Sequence, residues 1–295
     1  MTLLSCGDCG LVFTDPLQRD RVRRRYLTEY DLAEHFGHVA PRKRALFERR
    51  LEQLPAPAPG RDRLIDVGCA DGQFAELAAR LGWRVDGVEL NPPAAARARQ
   101  RGVNVHEGPF EALDQLPWGS FDLVTSWDVL EHTPDPRPFA ERLARLARPG
   151  ATVALTTLNR RSLVAWLFGM RWAKIGEEHF TYWDRRSLVG LLNAAGMEVE
   201  QLSTFGLGRD LFRWLDRLQG HLRRNPGEAG RVSGAGPPGR AARGWDTLRG
   251  VLMAERAVNT VLAAVGGGIE LYAVARPADR RGGRAARGPG PPGPA

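Results

Sequence analysis

The stretch RLIDVGCADGQFAELAARLG, residues 63–82, decides the fold. A short apolar run ends in glycine, and an amphipathic run follows at once. RLIDVG reads as a buried strand, and GQFAELAARLG, residues 72–82, as a helix stopped by Gly82. The join is Asp66-x-Gly68-x-Ala70-x-Gly72. Glycines let the backbone turn tightly and let a ligand approach closely. Strand, Gly-rich turn and helix N-terminus make a ligand-binding corner at the carboxyl end of a sheet. Twenty-three residues after Asp66, the next predicted strand, WRVDGVEL, brings Glu89 to its tip. An acid there is placed to accept hydrogen bonds from ribose hydroxyls.

The alternation continues outward. PPAAARARQRG, residues 92–102, is a helix with proline in its first turn and glycine at its end. VNVHEG and FDLVTSWDVL supply a third and a fourth strand. PRPFAERLARLARPG, residues 136–150, is a helix, and ATVALTTLN a fifth strand. DRRSLVGLLNAAG, residues 184–196, is a helix with Asp184 as N-cap and Gly196 as stop. MEVEQLSTF and IELYAVARP are the last strands. This rhythm predicts an α/β fold, a parallel sheet covered on both faces.

The organisation predicted is a knuckle over residues 1–18, then a helical extension and linker over 19–60. Leu32, Phe36, Leu46, Leu51 and Leu54 are the apolar anchors of that extension. The core spans 61–205, with a Trp-rich interruption near 160–180. Residues 206–277 hold helices at 209–220 and 246–265, a mobile low-complexity loop at about 222–244, and the last strand. The tail, 278–295, reads as disordered. With no apolar run of transmembrane length and no secretory signal pattern at the start, the expected location is the cytoplasm. The net charge of +8 comes from Arg-rich stretches such as RDRVRRR, residues 19–25. No aromatic-interleaved basic motif accompanies it, so a solvated face is favoured over a nucleic-acid partner.

A nicotinamide dinucleotide is the first competitor for the corner, but its G-x-G-x-x-G would fall on Gly68, Ala70 and Gln73. The spacing instead resembles motif I of the class I S-adenosylmethionine-dependent methyltransferases, with Ala in one glycine slot. FDLVTSWDVLEHTPDP, LARLARPGATVALTTLN and GEEHFTYWDRRSLVGLLNAAGMEVEQL resemble later blocks of that family, in order, over residues 61–203. The resemblance implies a Rossmann-like seven-stranded sheet with the last strand antiparallel and helices on both faces. It implies S-adenosylmethionine as cofactor. Asp66 and the Gly68, Cys69, Ala70 and Gly72 backbone would then hold the methionine portion, Glu89 the ribose, and Leu90 one side of the adenine. Pro109 stands where many relatives carry an adenine-reading Asp, leaving Phe110 and Glu111 as substitutes. Ser126, Trp127 and Asp128 would line the cofactor beyond strand four. If Ala70 has positive φ, binding weakens.

A hydroxyl acceptor must lose a proton as the new bond forms, and histidine suits that task. His132 and His179 are the candidates. Each has a structural alternative, a loop-ordering hydrogen bond for His132 and a packing role for His179. Glu131 and His132 are candidate metal ligands by type, but adjacent residues point differently and no further ligand cluster is evident, so no metal is expected there. The expected reaction is O-methylation of a small-molecule or glycan-related acceptor by a monomer or homodimer. The alternative is a non-catalytic module of this fold that binds a partner or nucleic acid. The segment 160–175 is read as a lid or membrane contact, or as a packing insertion; Trp166, Phe168 and Trp172 would suit a flat apolar acceptor.

Three cysteines make no disulfide framework. Cys69 reads as a small loop residue without a basic neighbour to activate it. Cys6-x-x-Cys9 resembles the second knuckle of a zinc-ribbon-like segment that some of these methyltransferases carry at the N-terminus. Half a ligand set is present, so Cys6 and Cys9 are expected to be metal-free, as a remnant or a truncated start, unless another chain or ligand completes the site.

Overall fold

The computed structural model describes residues 2–15, 40–172, 174–176, 179–206, 260–262 and 264–278. Strands β1 (Leu3–Ser5) and β2 (Val12–Thr14) form the knuckle hairpin. Helix α1 (Ala40–Gln53) precedes the alternating core. There β3 (Arg63–Val67), α2 (Gln73–Arg80), β4 (Arg84–Glu89), α3 (Pro92–Gln100), β5 (Asn104–Glu107) and β6 (Phe121–Trp127) follow in turn. Then come α4 (Pro136–Leu146), β7 (Ala147–Leu158), α5 (Leu163–Phe168), β8 (Thr181–Tyr182) and α6 (Arg185–Ala194). Strands β9 (Met197–Phe205) and β10 (Glu270–Pro277) complete the sheet.

Seven strands lie in the order β5-β4-β3-β6-β7-β10-β9. The pairs among β3 to β7 are parallel, and β10 runs antiparallel between β7 and β9. The expected antiparallel last strand is present. The chain winds outward from β3 to β5 and then returns to β6 on the other side of β3. That reversal opens a crevice at the carboxyl ends of β3 and β6, where ligands of open α/β sheets bind.

Both sheet faces are apolar because successive strand residues point to opposite sides. In β6, Val124 packs with Phe139, Leu143, Leu188 and Trp183 on one face. Its neighbour Leu123 packs with Leu51, Leu54, Phe74 and Trp83 on the other. Local signals set the ends. Asn91 caps α3 by accepting from the Ala94 N–H at 3.1 Å. Asp184 and Ser187 form a capping box on α6, as the sequence implied for Asp184.

One boundary moved. Helix α4 stops at Leu146, and the chain is already extended at Ala147. Pro149 disfavours helical backbone at Arg148 and offers no N–H, so helix cannot reach Gly150. Of the predicted extension, the helix at 40–53 is described, whereas Leu32 and Phe36 lie outside the described residues. So do residues 209–220, the loop 222–244, most of 246–265 and the tail from 279.

A second sheet has no counterpart in the sequence reading. Strand β2 pairs antiparallel with β8, Val12 opposite Tyr182 and Phe13 opposite Thr181. The Thr14 N–H donates to the Phe180 carbonyl at 2.9 Å. Arg160 ties the same hairpin down, donating to the Gly10 carbonyl at 3.2 Å and pairing with Asp184. Among the described residues, no helix is long and apolar enough to cross a membrane.

Candidate functional site

The Gly-rich turn is held from below. Gly68 and Cys69 both donate to the Val88 carbonyl, at 2.8 and 3.0 Å. Gly68 has φ +80°, and a Cβ there would stand 2.3 Å from Val129 Cγ2. Gly72 has φ +80°, and its Cβ would meet Ala98 Cα at 3.0 Å. Ala70 itself has φ 50°, so the slot where relatives carry glycine does require left-handed backbone. Cys69 is buried, and a Cβ on Gly87 would meet its thiol at 2.7 Å. Burial pushes that thiol well up, which leaves it inert.

Two carboxyls flank the turn. Glu89 is 3% exposed and bridges two backbone donors, with Oε2 accepting from Ala70 N–H at 2.9 Å and Oε1 from Asn91 N–H at 2.7 Å. A carboxylate oxygen can accept more than one hydrogen bond, so these two backbone donors do not by themselves exhaust the group. Asp66 is buried and accepts from the Thr125 hydroxyl at 2.7 Å. Burial raises its pKa to about 7, against the pull of that hydrogen bond. The positive-φ turn, open where side chains would clash, and the two buried carboxyls fit the amino-acid and sugar ends of S-adenosylmethionine.

The other expected cofactor residues divide. Ser126 is buried and donates to the Val67 carbonyl at 3.1 Å, and Leu90 is half-buried beside Glu89. Trp127 turns away into the second core, 5.0 Å between ring centroids from Phe74 and 6.4 Å from Phe47 of α1. It anchors α1. Phe110 is drawn into the first core, edge-on to Phe139 at 5.4 Å, and Glu111 is exposed. Apolar packing claims Phe110, because the 3-10 turn Phe110–Ala112 lies against α4.

Beyond β6 the chain bends sharply. Asp128 has φ 56°, donates through its N–H to Thr156 Oγ1 at 3.0 Å, and accepts from that hydroxyl at 2.7 Å. Lys43 reaches over from α1 to within 3.7 Å of its carboxylate. Burial acts to raise Asp128, but Lys43, Thr156, Lys174 and His132 outweigh it and hold the group below the usual carboxylate range. Glu270 moves the other way, pushed up to about 8 by burial and by Asp128.

His132 and His179 meet at this edge. The Phe180 N–H donates to the Glu131 carbonyl at 2.7 Å, and the Thr181 hydroxyl to the Leu130 carbonyl at 3.2 Å. These bonds stitch the segment before β8 onto the turn Leu130–His132, with ring centroids of the two histidines 4.7 Å apart. His132 is exposed and His179 buried. Burial, with the nearby His132 and Lys174, holds His179 well below the usual imidazole range. Ligating atoms of Glu131, His132 and His179 all fall within 4.8 Å of one another. The sequence reading saw no further ligand cluster beside Glu131 and His132; His179 reaches them from far along the chain, where spacing carries no signal.

Sequence reasoning also missed Lys43, Thr156, Thr157 and Glu270. ALTTLN did hold a signal, two hydroxyls in an otherwise buried strand. Trp172 is 2% exposed and packs with Val164, Ala165 and Tyr182, so it is core and not an acceptor contact. Trp166 is 77% exposed. Cys6 accepts backbone hydrogen bonds from Cys9 and Asp8, which hold its thiol below the usual range. Among the described residues no further ligand converges on this pair. The hairpin instead walls a cleft of about 230 Å³ with Phe13, Pro134, Pro136 and Phe180.

The comparisons agree with this geometry. A family described as "Methyltransferase domain" matches residues 38–202, more than half of the chain. A ubiquinone biosynthesis O-methyltransferase of Xanthomonas axonopodis pv. citri is 34% identical over 173 residues, covering 54% of this chain and 72% of that protein. Its counterpart in Xanthomonas oryzae pv. oryzae is 40% identical over 104 residues, 33% of this chain and 44% of the relative, so the chain spans less than half of that protein. A solved S-adenosylmethionine-dependent methyltransferase of Thermotoga maritima, described as a possible histamine N-methyltransferase, shares the fold at 18% identity. Its TM-score is 0.53, with 88% of this chain and 99% of that one covered. Sheet order and family match converge on one assignment: the chain belongs to the class I S-adenosylmethionine-dependent methyltransferases.

Proposed function

We propose that this protein methylates an oxygen of a small-molecule acceptor that arrives at the carboxyl edge of β6 and β7. When bound, S-adenosylmethionine supplies a methyl group already activated by its sulfonium. Asp66, the turn at Gly68 to Gly72 and Glu89 would hold it. The protein's remaining work is to align the acceptor oxygen in line with that methyl and to exclude water. Lys43 and α1, seated by Phe47 on Trp127 and Phe74, cover the edge. The observation that carries the reading is the exposed His132, backed by the neutral, buried His179. His132 takes the acceptor's proton as the carbon–oxygen bond forms.

The exposed Leu163, Trp166, Leu167 and Met170 favour an acceptor with an apolar part, presented free or from a membrane surface. The test is calorimetric titration with S-adenosylmethionine, followed by a screen of phenols, catechols and sugars with a labelled methyl donor. His132→Ala is expected to lower kcat at least tenfold with cofactor affinity unchanged. A parent protein that fails to bind S-adenosylmethionine refutes the proposal. Cofactor binding with no transfer to any hydroxyl supports the partner-binding alternative.

A further inference from the structure

Glu131 has no part in the proton transfer assigned to His132, yet it is a carboxyl at 2% exposure. Buried carboxyls are rare unless paired or ligating. Its Oε2 accepts from Thr157 Oγ1 at 2.8 Å, and among the described residues no Lys or Arg forms an ion pair with it. Two imidazoles converge on it instead. His179 Nδ1 lies 2.7 Å from the Lys174 carbonyl. A carbonyl only accepts, so Nδ1 carries the proton and Nε2 presents a lone pair. A backbone acceptor on the far nitrogen is the outer interaction that orients ligating histidines in metal sites.

We propose that Glu131, His132 and His179 form a site for one divalent transition-metal ion. Two imidazoles and a carboxylate suit Zn²⁺, Fe²⁺ or Co²⁺, whereas Mg²⁺ and Ca²⁺ favour oxygen ligands throughout. Metal–ligand bonds of about 2.0–2.2 Å require the three atoms to stand roughly 3–3.5 Å apart. The set is within 4.8 Å, and His132 is its exposed member, so closing the difference is a rearrangement of a surface side chain. Three protein ligands leave at least one position open, and the exposed one of them faces the acceptor edge, which is the pattern of a catalytic site.

What the ion does there rests on the methyl-transfer reading. An acceptor hydroxyl bound at the open position would release its proton to water, and the metal-held oxygen would then take the methyl group. His132 would serve as ligand, not base, whenever the metal is bound. Binding of the metal itself does not depend on that reading.

The test uses the full chain, freed of metal by chelation and titrated calorimetrically with Zn²⁺ alone and Co²⁺ alone. One equivalent is expected in the parent and in the Cys6→Ser/Cys9→Ser variant. Affinity should fall at least tenfold in Glu131→Gln, His132→Ala and His179→Ala, with S-adenosylmethionine affinity and circular dichroism unchanged. The Co²⁺ spectrum should lack a thiolate charge-transfer band. Because His132 is exposed, its variant keeps the test decisive if His179→Ala misfolds. No binding in the parent, or binding lost only in the cysteine variant, overturns the proposal. Metal binding without S-adenosylmethionine binding supports the site and refutes the methyltransferase reading instead.

Discussion

Replacing Glu89 by Gln probes the centre of the cofactor reading with almost no change of volume. In the parent the two carboxylate oxygens each accept from one backbone donor, Ala70 N–H at 2.9 Å and Asn91 N–H at 2.7 Å. An amide has one oxygen and one NH₂. Whichever way it is turned, the NH₂ faces one of those two N–H groups. One buried donor is then left unmet, at a cost of about 1–3 kcal/mol. Stability in urea should drop by that amount. Cofactor binding should suffer separately, because charge-assisted bonds to the ribose hydroxyls become neutral ones. A loss of about 2 kcal/mol corresponds to roughly a 30-fold rise in Kd. Calorimetry with S-adenosylmethionine measures the second effect and urea melts the first. A Gln variant that binds the cofactor within twofold of the parent refutes Glu89 as the ribose acid. Unchanged stability would refute the argument that its carboxylate braces the turn.

Three further outcomes are expected. Ala70→Gly should stabilise the protein by roughly 1 kcal/mol and tighten cofactor binding, since φ 50° costs any side chain about 1–2 kcal/mol before glycine's own entropy is set against it; a loss of stability contradicts this. Gly68→Ala should destabilise by roughly 3 kcal/mol in denaturant melts, from left-handed strain plus a Cβ 2.3 Å from Val129. Asp66 predicts opposite pH trends. Its pKa is raised in the folded state to about 7, so its contribution to stability is present below pH 4 and lost as pH rises through 7. Cofactor binding through the ionised form should instead strengthen towards pH 8, by up to about tenfold per unit below 7, and Asp66→Asn should flatten both profiles.

Much of the fold is local and periodic, and so was legible. Leu64 and Ile65 before Gly68, the prolines that open the helix at 92–102, and Asp184 as the cap of its helix each act within a few residues. The antiparallel β10 rested on family resemblance, because no property of IELYAVARP distinguishes its direction. Glu89 was legible because β3 and β4 are adjacent and parallel, so one turn and one strand length fix where its side chain ends.

The sequence by itself determined the alternating sheet, the left-handed turn at Gly68 and the acid that faces it, since each depends on backbone conformation over short spans. Tertiary structure alone decided where long side chains went. Phe110 and Trp172 were taken by the core because burying an aromatic ring outweighs offering it to a ligand. Lys43 reached Asp128, β2 paired with β8, and His179 met Glu131 and His132 only because sheet order folds segments far apart in the chain onto one edge. Such contacts are set by packing and backbone hydrogen bonds between distant segments, which residue spacing does not encode.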